Sequence, residues 1–134
     1  MSERTMWTAL RASMTRLDAV RVENACDPGT PDVDCTLGWI ELKNVDELPV
    51  RPDTPLRVPH FVPAQRAWLI RRSKAGGRCF VMLRAAGEWI LMRGDIAALR
   101  LGKCTIAELR QWAFATWPSV PDEKQLTGAL RECK

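Results

Sequence analysis

Apolar residues return along the first part of the chain at helical spacing. Met6, Leu10, Met14 and Leu17 follow one another at steps of four, four and three, with Arg4, Arg11 and Arg16 off that stripe. This pattern predicts a helix over residues 4–18. The period then shortens to two: in VRVEN, 20–24, Val20 and Val22 fall on one side and Arg21 and Glu23 on the other. DPGTP at 27–31 is a turn cluster. Residues 32–36 and 38–45 predict two strands of a hairpin around Thr36–Gly38.

Periodicity then stops. Residues 46–63 contain five prolines, at 49, 52, 55, 59 and 63, which predicts a long surface loop. Pro63 suits the first turn of a helix over 64–74, and Ala-Gly-Gly at 75–77 closes it. CFVMLR (79–84) is a buried strand, Ala86–Gly87 a tight turn and EWILMR (88–93) its partner. Asp95 caps a short helix to about Arg100, and Thr105 with Glu108 forms a capping box for a helix over 106–115 that Pro118 and Pro121 end. The last dozen residues are polar, so 1–118 is expected to be the folded domain and 119–134 a polar tail that frays. No internal repeat appears. The order of elements is that of one mixed α/β layered structure.

Length and charge add limits. A chain of 134 residues, 46% hydrophobic and 27% charged, suits one globular domain. Its longest apolar runs, Cys79–Leu83 and Trp89–Met92, fall far short of the roughly 20 residues of a membrane helix. MSERTMWTAL has no signal-peptide stretch, and five cysteines without a CxxC pair suit a reducing compartment. The expectation is a soluble, cytoplasmic protein with no membrane partner. The net charge is +4, and arginines outnumber lysines 15 to 5. Guanidinium forks pair well with phosphate, although a GC-rich genome produces the same bias.

The residue inventory removes several chemistries. With one histidine, His60, there is no HExxH zinc site and no ββα-metal nuclease site. Cys26, Cys35, Cys79, Cys104 and Cys133 are scattered singly, so a zinc knuckle is not expected. Neither GxxxxGK[ST], GxGxxG nor GxSxG occurs. Chemistry, if any, falls to carboxylates, lysine and a hard metal ion. Pro31-Asp32-Val33-Asp34 and, six residues on, Glu41-Leu42-Lys43 supply those groups. On a strand, Glu41 and Lys43 share one face and Ile40 and Leu42 the other, and a hairpin brings the Asp and Glu carboxylates together. Two carboxylates and water suit Mg²⁺, and Lys43 lies where it can orient a nucleophile or meet charge on a phosphate.

These residues resemble the signature of the PD-(D/E)XK nuclease superfamily, the restriction-endonuclease-like fold. GTPD at 29–32, ELK at 41–43, PAQRAWL at 63–69 and AGGRCFVML at 75–83 look like its VRR-NUC and Holliday-junction-resolvase branch, in small phage-type form. The resemblance covers about residues 20–93. It implies an αβββαβ core, a mixed sheet flanked by helices, with extra C-terminal helices. It also implies a Mg²⁺- or Mn²⁺-dependent endodeoxyribonuclease working in the cytoplasm of a bacterial host and leaving a 5′-phosphate. Asp32 and Glu41 would be metal ligands, Lys43 the catalytic lysine, and Gln65 a residue facing the site from the helix. Glu23 and Asp34 are further ligand candidates. The family's additional acid often sits on the first helix, where Glu3 is the candidate.

Blander readings stand beside these. Glu41 and Lys43 also fit an exposed ion pair on a strand face, Gln65 a solvated first-turn residue, and Glu23 a cross-strand partner for arginine. His60 fits a loop hydrogen bond. Trp7, Trp68, Trp89 and Trp112 read as core, and Trp39 as core support or a nucleotide contact. Arg66, Arg71, Arg72, Lys74 and Arg78 form either a solvated helix face or a stripe tracking DNA phosphates. So small a domain has little surface for reading bases, which favours branched, flapped or nicked DNA over a base sequence, with a homodimer carrying two sites. The alternatives are a catalytically weak DNA-binding module of the same fold and a basic adaptor binding proteins through 106–115 and the tail.

Overall fold

A computed structural model describes residues 1–133. In chain order it contains α1 (Glu3–Leu10), a 3₁₀ segment (Arg11–Leu17), β1 (Val20–Arg21), β2 (Val33–Cys35), β3 (Gly38–Val45), α2 (Pro63–Lys74), β4 (Cys79–Ala85) and β5 (Glu88–Arg93). Then come α3 (Gly94–Arg100), α4 (Ile106–Trp112), β6 (Ala115–Trp117) and α5 (Glu123–Glu132). The strands form one mixed sheet in sequence order, antiparallel throughout except for the parallel pair β3–β4. A parallel pair needs a crossover, and residues 46–78, with α2, provide it. The described chain is therefore an α/β fold with a six-stranded sheet flanked by five α-helices.

Both faces of the central strands are covered, which is why CFVML and WILM read as unbroken apolar runs. One face carries Ile40, Leu42, Phe80, Met82 and Leu91 against Met6, Leu10, Met14 and Leu17 and against Leu126 and Leu130 of α5. The other carries Val81, Leu83, Ile90 and Met92 against Trp68 and Leu69 of α2, Ala97 and Ala98 of α3 and Leu109 of α4.

Several boundaries differ from expectation, each for a local reason. The first helix changes to 3₁₀ at Arg11, where buried Ser13 donates to the Pro121 carbonyl at 2.6 Å, yet it keeps the 6/10/14/17 stripe inward. β1 stops at Arg21, and Asn24 Oδ1 accepts from the Cys26 and Asp27 amides, curling the chain into a turn. Asp95 is no N-cap: Arg93 holds that position, and the Asp95 carboxylate accepts from the Ile96 amide and pairs with Arg93 at 2.8 Å. The Thr105–Glu108 capping box forms, but α4 ends at Trp112, because Phe114 donates its amide to Leu91 and the next residues join the edge of β5. Trp112 is 42% exposed beneath the Arg100 guanidinium rather than in the core.

The 46–63 segment is a surface loop only in part. Leu56, Val58 and Phe61 are buried, and the Leu56 amide donates to the Cys104 carbonyl at 2.8 Å. The expected polar tail is mostly helix α5, capped by Asp122 and Gln125 and buried through Leu126, Ala129 and Leu130; Lys134 lies outside the described residues. Arg78 donates to the Leu130, Arg131 and Cys133 carbonyls and clasps the end of that helix to the start of β4.

Because α5 fills one face of the sheet, Leu126→Ala should lower stability by about 2–5 kcal/mol, the usual cost of emptying a buried leucine site. Urea unfolding followed by circular dichroism measures this. A loss below about 0.5 kcal/mol would make α5 a dispensable tail.

Candidate active site

Strand parity places the chemistry. Ile40 and Leu42 of β3 enter the core below α1, so Trp39, Glu41 and Lys43 turn to the other face. There Trp39 meets Trp68 of α2 edge to face, with ring centres 5.5 Å apart. Glu41 and Lys43 are each only 1% exposed, so they are not an exposed strand pair. Asp32 closes on them from the chain just before β2. One of its oxygens accepts from the Leu42 amide at 2.8 Å, and the other faces Arg21 Nη2 at 3.4 Å.

Glycines make this approach possible. A Cβ on Gly29, in GTPD, would lie 2.3 Å from the Ala64 carbonyl oxygen, so only glycine lets the turn before Asp32 sit against the first turn of α2. Gly38 opens β3 at φ +136°, and a Cβ there would strike the Arg78 carbonyl at 2.4 Å.

The Lys43 ammonium donates to the His60 carbonyl at 3.0 Å and to Glu3 Oε1 at 3.4 Å, stands 3.7 Å from Glu41 Oε1, and lies 5.6 Å above the Phe61 ring. His60 aims that carbonyl from left-handed backbone at φ 65°, uncommon for a residue with a side chain. Its imidazole is not the group that touches the site; its backbone is. Glu41 Oε2, the other oxygen, is buried and accepts no hydrogen bond, and the carboxyl meets Asp32 only with a proton held between them. Burial first, then the neighbouring Asp32 carboxylate, push the Glu41 carboxyl from its ordinary 4.5 up to about 10, against the pull of Lys43. Beside this group a cleft of about 270 Å³ is lined by Glu3, Asn44, Pro59 and His60, among others.

Other anticipated residues have different employment. Glu23 is exposed, whereas Glu3, on the first helix, reaches Lys43. Asp34 stands opposite Trp39 in the register and, among the described residues, makes no side-chain hydrogen bond or ion pair. Gln65 spends its carboxamide oxygen on the Val62 amide at 3.0 Å, capping α2 rather than meeting the Glu41–Lys43 pair. Only that half of a capping box exists, since Val62 has no side-chain acceptor. Arg66 is structural: it donates to the Phe61 and Ala98 carbonyls and stacks 4.2 Å from the Phe61 ring. Arg78 is the α5 clasp. Arg71 and Lys74 remain exposed, as does Arg72, which lies 4.5 Å over the Trp68 ring.

Sequence reasoning did not anticipate Phe61, the His60 carbonyl or Arg21. Alternating hydrophobics at Leu56, Val58 and, after a break, Phe61 were the available sign that the proline-rich loop is anchored. No family model, curated protein or solved structure matches this chain. Among the described residues no helix is long and apolar enough to cross a membrane.

Glu41 also sets a pH dependence. Below about pH 4.5 it is protonated in the folded and unfolded chain alike; between 4.5 and about 10 the unfolded chain releases a proton that the folded chain retains. Its burial therefore weakens the fold progressively as pH rises through that window. Glu41→Gln should melt higher than the parent at pH 8, in metal-free buffer, with the gap narrowing toward pH 4.5. Calorimetry at both pH values checks this, and a gap independent of pH would contradict it.

Proposed function

We propose that this chain is a Mg²⁺- or Mn²⁺-dependent endonuclease of the restriction-endonuclease-like, PD-(D/E)XK type, hydrolysing phosphodiester bonds in DNA of branched, flapped or nicked form. The observation that carries the reading is the pair of carboxyls, buried Glu41 against Asp32, with Lys43 two residues along the same strand face. Without an ion, burial and Asp32 keep Glu41 protonated, and a divalent cation would take the place of that proton and neutralise both carboxylates. Among the described residues no three His, Cys, Asp or Glu side chains form a ready cage. Mg²⁺ does not need one, since it commonly takes one or two carboxylates and keeps several waters.

Asp32 and Glu41 would hold the ion. When bound, such an ion eases deprotonation of water and neutralises charge on a phosphate. The protein's own groups do the rest. The Leu42 amide fixes the Asp32 carboxylate, so this ligand is oriented before any ion arrives. Lys43 carries three N–H donors that can be exchanged from Glu3 and the His60 carbonyl to a phosphate oxygen, where its positive charge meets the charge developing during hydrolysis. Arg71, Arg72 and Lys74 offer phosphate contacts along α2, and a symmetric dimer would present two such sites.

The closure over the pair favours one second reading. With Glu41 and Lys43 at 1% exposure and Gln65 engaged in capping, the same fold also suits a DNA-binding module of weak catalysis.

Cleavage of supercoiled plasmid and of a synthetic four-way junction, with Mg²⁺, Mn²⁺ or EDTA, separates the readings. Parent protein should cut only with metal. Lys43→Met, which keeps the buried stem, should cut about 10²–10³-fold more slowly, the usual loss for a group that meets transition-state charge. No cutting, with junction binding that weakens steeply as salt rises, would favour the binding module. Neither cutting nor salt-sensitive binding would overturn both readings.

A further inference from the structure

Asp32 lies just before β2, and the torsion that turns its carboxylate is soft unless contacts hold it. Three contacts do. Its backbone carbonyl accepts from the Val22 amide at 2.7 Å, Oδ2 accepts from the Leu42 amide at 2.8 Å, and Oδ1 faces Arg21 Nη2 at 3.4 Å. Two of the three come from the edge strand β1 and the residue after it. The Leu42 amide fixes one oxygen, and a contact on the second oxygen sets the plane in which the pair lies. Among the described residues Arg21 is the only cation paired with Asp32, whereas Lys43 is paired with Glu3 and Glu41.

The form of the Arg21 contact is informative. An arginine beside a carboxylate commonly makes two short, parallel hydrogen bonds. Here a single nitrogen approaches, at 3.4 Å, and Nε is buried with no acceptor. A buried donor left unpaired destabilises a fold, so the arrangement calls for a reason. A full fork would need both carboxylate oxygens, and Oδ2 already belongs to the Leu42 amide. One long contact orients Oδ1 without saturating it, because a carboxylate oxygen has a second lone pair to offer. Asp32 is also the more open of the two carboxyls, its side chain 16% exposed against 2% for Glu41, so an arriving ion meets it first.

Resting on the metal-dependent nuclease reading, we infer that Arg21 is a positioning residue, which fixes the plane of the Asp32 carboxylate and holds Oδ1 unsaturated for the divalent cation. Groups that orient a metal ligand from behind govern affinity, and their loss typically weakens binding roughly 10–100-fold. On this inference the two-residue strand β1 serves to carry that guanidinium to the site.

The test is Mn²⁺ binding without DNA, followed by electron paramagnetic resonance of the free ion. Arg21→Met, which keeps the stem and removes every donor, should weaken binding roughly ten-fold or more, and Arg21→Lys, with a charged donor restored, should keep most of the affinity. In the parent, Mg²⁺ titration followed by nuclear magnetic resonance should move the Leu42 amide and Arg21 Nε–H signals with one dissociation constant. That readout decides if Arg21→Met fails to fold. Mn²⁺ affinity in Arg21→Met equal to or above the parent's, even with a lower melting temperature, would make Arg21 merely structural and overturn the inference, leaving the nuclease reading standing. An Arg21 signal indifferent to Mg²⁺ while Leu42 responds would do the same. Parent protein that binds neither ion would remove the metal-dependent reading, and this role with it.

Discussion

A lysine ammonium taken out of water must be met by acceptors and by opposite charge, or it destabilises the fold by several kcal/mol. Lys43 is such a group, and much of the surrounding architecture answers to it. Its hydrogen-bond acceptors come from two distant parts of the chain, Glu3 at the start of α1 and the His60 carbonyl at the end of the proline-rich loop, while Glu41 stands 3.7 Å away on its own strand. The demand draws the first helix and the loop over the edge of β3. Glu41, held protonated by burial and by Asp32, supplies no full counter-charge to the lysine, and that distinguishes the cluster from an ordinary structural ion pair.

The remaining elements serve to bring the second carboxylate within reach. The hairpin from Val33 to Val45 sets the register, Gly29 lets the preceding turn lie against α2, and the Leu42 amide takes the Asp32 carboxylate. α2 is held in turn by Trp68 against Trp39 and by Arg66 against the Ala98 carbonyl of α3. The site therefore stands on the sheet centre and on a helix fixed at both flanks. Both are firmer supports than exposed loops.

The parts legible in the sequence were those written in short-range patterns. The apolar stripe of the first helix, the hairpin at Thr36–Gly38, the parity of Glu41 and Lys43 and the strand pair joined at Ala86–Gly87 all follow from spacing and turn chemistry. What escaped depends on partners distant in sequence. Ala115–Trp117 became a strand because β5 had an open edge, and α5 became a packed helix because the sheet had an open face; neither vacancy shows in the local residues. Leu126, Ala129 and Leu130 do carry helical spacing, but their polar neighbours obscure it. Arginine roles were the least legible: Arg66 and Arg78 cap carbonyls, Arg21 pairs with Asp32, and composition cannot separate those tasks from phosphate binding. That Glu3 rather than Glu23 reaches Lys43 depends on where α1 begins relative to β3, a tertiary distance.

The Phe61 ring lies between two cations, Lys43 at 5.6 Å and Arg66 at 4.2 Å. Each cation is stabilised by a face of the ring, and Arg66 also holds the Phe61 carbonyl. The loop thus acts as an insulator between two positive charges. Removing the Phe61 ring would strip both cations of their aromatic cover in one event.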